Sequence, residues 1–176
     1  MNEKKVRDSR YDDHVYPPQR LSSGDGAGAA ALWLCAALVD AGVKASQIDV
    51  ISTERWYIYS GLCRIKAQET KHDVQNCCWH IELPSTPVER LFYATDTNNL
   101  NGITAKGYNL YLVEANYTEA DIQDRIAEKK INGEYVYEKR VMLEHLSKEK
   151  ADAWLCANMA AYSEYIYMHG HQEKDN

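Results

Sequence analysis

The chain has 176 residues, with 20 Lys and Arg against 26 Asp and Glu and a formal net charge of −6 at neutral pH. That length suits one domain, and a composition of 45% hydrophobic and 26% charged residues excludes a chain that is disordered, collagen-like or coiled-coil throughout. The acidic balance also argues against nucleic-acid binding by bulk charge, because phosphate contacts need Lys or Arg; a local basic patch or a bound cation would reverse the sign around one site.

Residues 1–26 are polar, with Pro17-Pro18 and Ser22-Ser23-Gly24-Asp25-Gly26, and predict a poorly ordered segment. The charged start has no apolar stretch of the secretory kind, so a cytoplasmic protein is expected. The apolar run 27–39 is interrupted by Gly28 and falls short of the roughly 20 residues a bilayer span needs, so no membrane partner is expected. It predicts a core helix over 27–41 that stops at Gly42. Short runs rich in Ile, Val, Tyr and Trp then predict strands at 56–59, 62–67, 77–83 and 90–94, with 110–113 a strand buried on both faces.

Thr118, three residues before Asp121, predicts the capped start of a helix over 120–130 that stops at Asn132-Gly133. Ser147 caps a longer helix in which Trp154, Leu155, Met159, Tyr162 and Ile166 fall at helical spacing. This order predicts an α/β fold, a mixed sheet with flanking helices, in a single domain over residues 27–168 followed by a tail, 169–176. Thirteen Tyr against one Phe predict aromatic positions whose hydroxyl tips reach water or a carbonyl. Five Cys without Cys-x-x-Cys spacing exclude a disulfide framework and a cysteine zinc site.

Four segments place metal-ligand residue types at strand-to-loop junctions: Asp13-His14, Lys71-His72-Asp73, Thr95-Asp96-Thr97 and Glu144-His145-Leu146-Ser147. Asp96 leaves an apolar strand, where packing gives a carboxylate no purpose. Three further candidates are weaker. His169-Gly170-His171 reads as a solvated tail. The glycine-rich stretch 22–28 lacks the Lys and Ser/Thr of a phosphate loop. Glu114 reads as a strand-end partner of a histidine.

The order Asp-His, His, Asp, His, with the stretches 91–97, 111–117 and 140–147, resembles the metallo-β-lactamase-fold hydrolases, in particular their cytosolic phosphodiesterase and nuclease-like branch. The resemblance covers roughly the second half of such a domain and implies part of an αββα sandwich with helices outside two sheets. It implies His72 as the third metal-binding histidine, Asp96 as a carboxylate bridging two cations, and His145 as the last histidine, with Asp13 and His14 as further ligands. In Ser9-Arg10-Tyr11-Asp12-Asp13-His14 the final Asp-His of the family's His-x-His-x-Asp-His loop is present, whereas Ser9 and Tyr11 stand where two histidines belong.

Imidazole and carboxylate ligands suit zinc or manganese. Two cations about 3.5–4 Å apart activate water and clamp the attacking and leaving oxygens, so no Ser or Cys nucleophile is needed. Asp96 and Asp73 are the catalytic candidates, Asp73 to orient an imidazole or accept a proton. The activity implied is hydrolysis of a phosphodiester such as DNA, RNA or a cyclic nucleotide. The alternative is a catalytically inactive remnant serving as a binding or structural protein; a third reading is an unrelated adaptor in which the segments never meet. The chain also starts where the metal loop should be, like an N-terminally truncated member, and an uncovered sheet edge and face would favour a homo-oligomer.

Overall fold

The structure, a computed structural model, describes residues 35–169. These fall in two compact units, residues 35–52 and residues 53–169. In the smaller unit residues 35–40 are helical and Gly42, at φ 92°, turns the chain out of the helix through a left-handed conformation that a side chain would strain. A short 3-10 turn, Ala45–Gln47, follows.

The larger unit is built on one six-stranded sheet in chain order: β1 (Trp56–Tyr59), β2 (Cys63–Thr70), β3 (Asn76–Leu83), β4 (Glu89–Ala94), β5 (Leu110–Glu114) and β6 (Glu164–Met168). The first four pair antiparallel, whereas β4–β5 and β5–β6 pair parallel. Between β5 and β6 lie α1 (Glu119–Asn132), α2 (Glu138–Glu144) and α3 (Lys148–Asn158). The mixed sheet with flanking helices is the α/β class that the sequence predicts, with a single sheet among the described residues.

Alternation along the strands sets one well-covered face. Cys78, Phe92, Ala94, Tyr111 and Val113 pack with Ala151 and Leu155 of α3 and with Leu100, Ile103 and Ala105 of the β4–β5 connection. Trp154 stacks on Phe92 at 4.7 Å and donates its indole N–H to Ile103 O at 3.0 Å, so the ring fills the core without an orphaned polar group. Tyr111 is fully buried and its hydroxyl donates to Ala105 O at 2.7 Å, as the expectation of polar-tipped core rings requires. A second cluster, Tyr117, Ile122 and Ile126 with Val141 and Met142, joins α1 to α2.

Both predicted caps are present. Thr118 accepts from Asp121 N, and Ser147 Oγ accepts from Lys150 N at 3.3 Å. Gly133, at φ 70°, closes α1 with its N–H on Lys129 O and Lys130 O. Ser147 is fully buried, and its replacement by alanine removes the side-chain acceptor of the Lys150 amide. Ser147→Ala is expected to cost about 1 kcal/mol in urea unfolding, and an unchanged midpoint would show that the cap contributes nothing.

Two elements differ from expectation. The helix capped by Ser147 ends at Asn158, and Ile166, assigned to it by spacing, belongs to the edge strand β6. Helix α2 was not expected at all; Tyr137 at its N-cap makes no side-chain capping bond. The start of the helix expected over 27–41 lies outside the described residues. No helix among the described residues is long and apolar enough to cross a membrane.

Candidate metal centre

The strand directions place the chemistry. β2 runs antiparallel to β3 and β3 to β4, so β2 and β4 point the same way, and β5 and β6 run parallel to β4. The C-terminal ends of these four strands therefore open onto one edge, where α/β sheets usually bind ligands. His72 lies two residues beyond β2, Asp96 two beyond β4, Glu114 ends β5 and His169 follows β6. His145 follows directly on α2.

Hydrogen bonds lock these exits together. Asn98 N and Thr97 Oγ1 donate to Lys71 O at 2.8 and 3.3 Å, tying the Asp96 loop to the His72 loop. Asn76 Nδ2 donates to Thr95 O and Asp96 O at 2.7 and 2.6 Å. Asn98 Nδ2 donates to Leu143 O at 2.6 Å, satisfying a carbonyl at the end of α2 beside His145. Asp96 and His169 both take positive φ, 52° and 57°, an unfavourable state that at Asp96 is held by the Asn76 bond to its carbonyl.

Glu114 is the hub. Its side chain is fully buried; Oε2 accepts Thr97 N–H at 3.1 Å and Oε1 accepts His145 Nδ1–H at 2.6 Å. His72 has the matching arrangement, its Nδ1 2.6 Å from Asp73 Oδ1. A carboxylate only accepts, so the His145 imidazole carries its proton on Nδ1 and leaves Nε2 with a lone pair. Val74 N–H donates to the same His72 Nδ1 at 3.4 Å. His72 and His145 are neighbours, ring centroids 5.7 Å apart. An open cleft of about 220 Å³, lined by Thr70, Asp73, Val74 and Asn76 among others, lies beside His72.

Asp73 is held in turn. Arg140 Nη2 lies 2.8 Å from Asp73 Oδ2, and Arg140 Nε lies 2.7 Å from Glu144 Oε1. Burial opposes ionisation of Asp73, but the hydrogen bond and charge of Arg140 help hold the carboxyl below its usual range.

The sequence-predicted residues His72, Asp73, Asp96 and His145 thus come to one sheet edge: Asp96 Oδ1 is 3.8 Å from His145 Nδ1. Asp13 and His14 lie outside the described residues. Two participants were not expected there. His169, read as solvated tail, has its Nδ1 3.6 Å from both Asp96 Oδ1 and Glu114 Oε1. Glu144 sits with His72 and His145, one potential ligand atom of each lying within 4.8 Å of the others. The signal available for His169 was its place directly after an apolar strand, the feature that marked Asp96. All five cysteines are free thiols, and burial pushes Cys78 up to about 12, so it offers no thiolate.

The donor set fits a divalent cation. His145 has Nδ1 fixed by a buried carboxylate, the arrangement metal-binding histidines use, His72 Nδ1 lies 2.6 Å from Asp73 Oδ1, and His72 Nε2 is buried with no hydrogen-bond partner.

No protein-family model matches the chain, and no curated protein matches it. Among solved structures it is similar to the metallo-β-lactamase-fold protein YhfI from Bacillus subtilis, at 13% identity and a TM-score of 0.47, over 70% of this chain and 43% of that one. It is also similar to the short form of human tRNase Z, at 13% identity and a TM-score of 0.44, over 66% of this chain and 40% of that one. The chain spans less than half the length of either protein. These neighbours are of the fold that the sequence resembles.

Proposed function

We propose that the chain is a metal-dependent hydrolase of the phosphodiesterase type, built around zinc or manganese. The observation that carries this reading is the convergence of His72, Asp96, His145 and His169, from four separate segments, on one edge of the sheet, with two of the imidazoles oriented by carboxylates. A divalent cation held there would supply Lewis acidity and lower the pKa of water, which is what phosphodiester cleavage lacks at neutral pH. It would also make the site locally positive in a chain of net charge −6, allowing an anionic substrate to approach.

The residues divide the work. Asp73 and Glu114 aim the His72 and His145 rings. Asp96, whose side chain is 47% exposed at the mouth of the site, is the carboxylate free to accept a proton from the attacking water. Hydrolysis of bis-p-nitrophenyl phosphate by metal-depleted protein, with and without added manganese or zinc, tests this. Wild type is expected to show a metal-stimulated rate that Asp96→Ala loses while keeping its unfolding midpoint. Equal rates in the two proteins, or no stimulation by either metal, would overturn the hydrolase reading and leave the chain a binding or structural protein.

A further inference from the structure

We propose that His72, Glu144 and His145 form a single, self-sufficient zinc-class site, with Glu144 as the third ligand, and that Asp96 and His169 stand beside this site rather than in it. The inference rests on the reading of this edge as a metal centre and says which side chains take the first cation.

The geometry supports this trio over the other combinations. One potential ligand atom from each of the three lies within 4.8 Å of the others. A tetrahedral zinc with bonds of about 2.0–2.1 Å needs its ligand atoms about 3.4 Å apart, so closure asks for side-chain adjustments of the order of 1 Å. Nδ1 of each ring faces protein groups, Glu114 at 2.6 Å for His145 and both Asp73 at 2.6 Å and Val74 N–H for His72, which leaves Nε2 as the outward atom of each. Nε2 of His72 is buried without a partner, a state that costs free energy unless something fills it.

Glu144 has one oxygen, Oε1, on Arg140, and the second oxygen has no hydrogen bond to Arg140. Two histidines, one glutamate and an open fourth position make a recurrent donor set of catalytic zinc. The other candidate group, Asp96, Glu114 and His169, is poorer, because Glu114 is fully buried with both oxygens already engaged. Helix α2 is what brings Glu144 in. Its last residue and the next, Glu144 and His145, supply two of the three ligands, and Arg140, one turn earlier, ties the helix to the His72 loop through Asp73.

Equilibrium dialysis of the metal-depleted full chain against zinc tests the assignment, with near-UV circular dichroism to verify folding. Wild type is expected to bind one equivalent tightly. Glu144→Gln and His72→Asn are each expected to weaken that equivalent by about 100-fold or more, whereas Asp96→Asn leaves it within about threefold. Arg140→Gln separates ligation from packing, since it removes the same ion pair but keeps the carboxylate, and it is expected to lose far less zinc affinity than Glu144→Gln. Wild-type affinity in Glu144→Gln, equal loss in Arg140→Gln, or loss in Asp96→Asn would each overturn the proposal, as would absence of any bound zinc. Zinc bound through Glu144 without phosphodiester hydrolysis would leave the site standing and defeat the hydrolase reading; hydrolysis with binding indifferent to Glu144 would do the reverse.

Discussion

Glu114→Ala is expected to lower the unfolding free energy by about 3 kcal/mol and, separately, to disable the metal centre. The carboxylate is fully buried at the end of β5 and holds two groups: the Thr97 amide, itself fully buried, and the His145 ring. Alanine orphans the amide at about 1–3 kcal/mol and deletes a charge-assisted bond to an imidazole. It also opens a small void where the buried side chain stood, and relief of the carboxylate's own desolvation offsets part of the total.

Glu114→Gln separates stability from chemistry. Its amide oxygen continues to accept the Thr97 N–H, so the fold loses little, on the order of 1 kcal/mol. Its NH₂ group then faces His145 Nδ1, which must become the acceptor and pass the ring proton to Nε2. An Nε2–H cannot ligate, so zinc affinity is expected to fall about 10- to 100-fold in a protein that still unfolds cooperatively. Isothermal titration with zinc, paired with urea unfolding, measures both effects, and wild-type zinc affinity in Glu114→Gln would show that His145 is not a ligand through Nε2.

What was legible in the sequence was local. The β4 and β5 strands are apolar runs, Thr118 and Ser147 carry hydroxyls three residues before the amides they cap, and Gly42 and Gly133 occupy positive-φ positions. Asp96 stood out because a carboxylate leaving an apolar strand has no packing purpose. What escaped depends on pairing at long range. α2 has seven residues, too few for a period to declare itself, and lacks a capping side chain. Tyr162 and Ile166 are four apart, which fits a helix, but the chain turns at residues 159–163, and Ile166 pairs with Leu112 across the sheet. His169 reaches Asp96 only because β6 joins β5 in parallel at the register Glu114–Met168. Glu144 acquires its role through the fold of α2 against the His72 loop, a relation between segments about seventy residues apart that spacing does not encode.

Below neutral pH the protein is expected to lose stability through a residue remote from that edge, His80. The ring is 2% exposed and sits among Phe92, Tyr108 and Trp56, with Nε2 3.1 Å from Gln68 Oε1 and Nδ1 3.0 Å from the Tyr108 hydroxyl. Gln68 Oε1 only accepts, so Nε2 carries the hydrogen and Nδ1 accepts from Tyr108; the neutral ring is fully satisfied, and a second proton would put a charge in the core and turn the Tyr108 hydroxyl from donor to acceptor. Burial, with the charge of Lys66 adding to it, lowers the His80 pKa from 6.5 to about 4. In the unfolded chain the ring protonates near pH 6.5, whereas the folded protein resists protonation until about pH 4, so between those limits the unfolded state binds more protons. The stabilisation from the neutral ring is therefore complete above about pH 6.5 and is lost progressively as pH falls towards 4, amounting to about 3 kcal/mol over the window. Carboxylates titrate in the lower part of the same range, so the measurement is a difference: from pH 6.5 to pH 5 wild type is expected to lose about 2 kcal/mol more than His80→Gln in urea unfolding. The imidazole carbon-bound proton resonances of His80 should also hold still down to about pH 4. Parallel stability curves for the two proteins, or a resonance that titrates near pH 6.5, would show that this histidine is charged in the folded core.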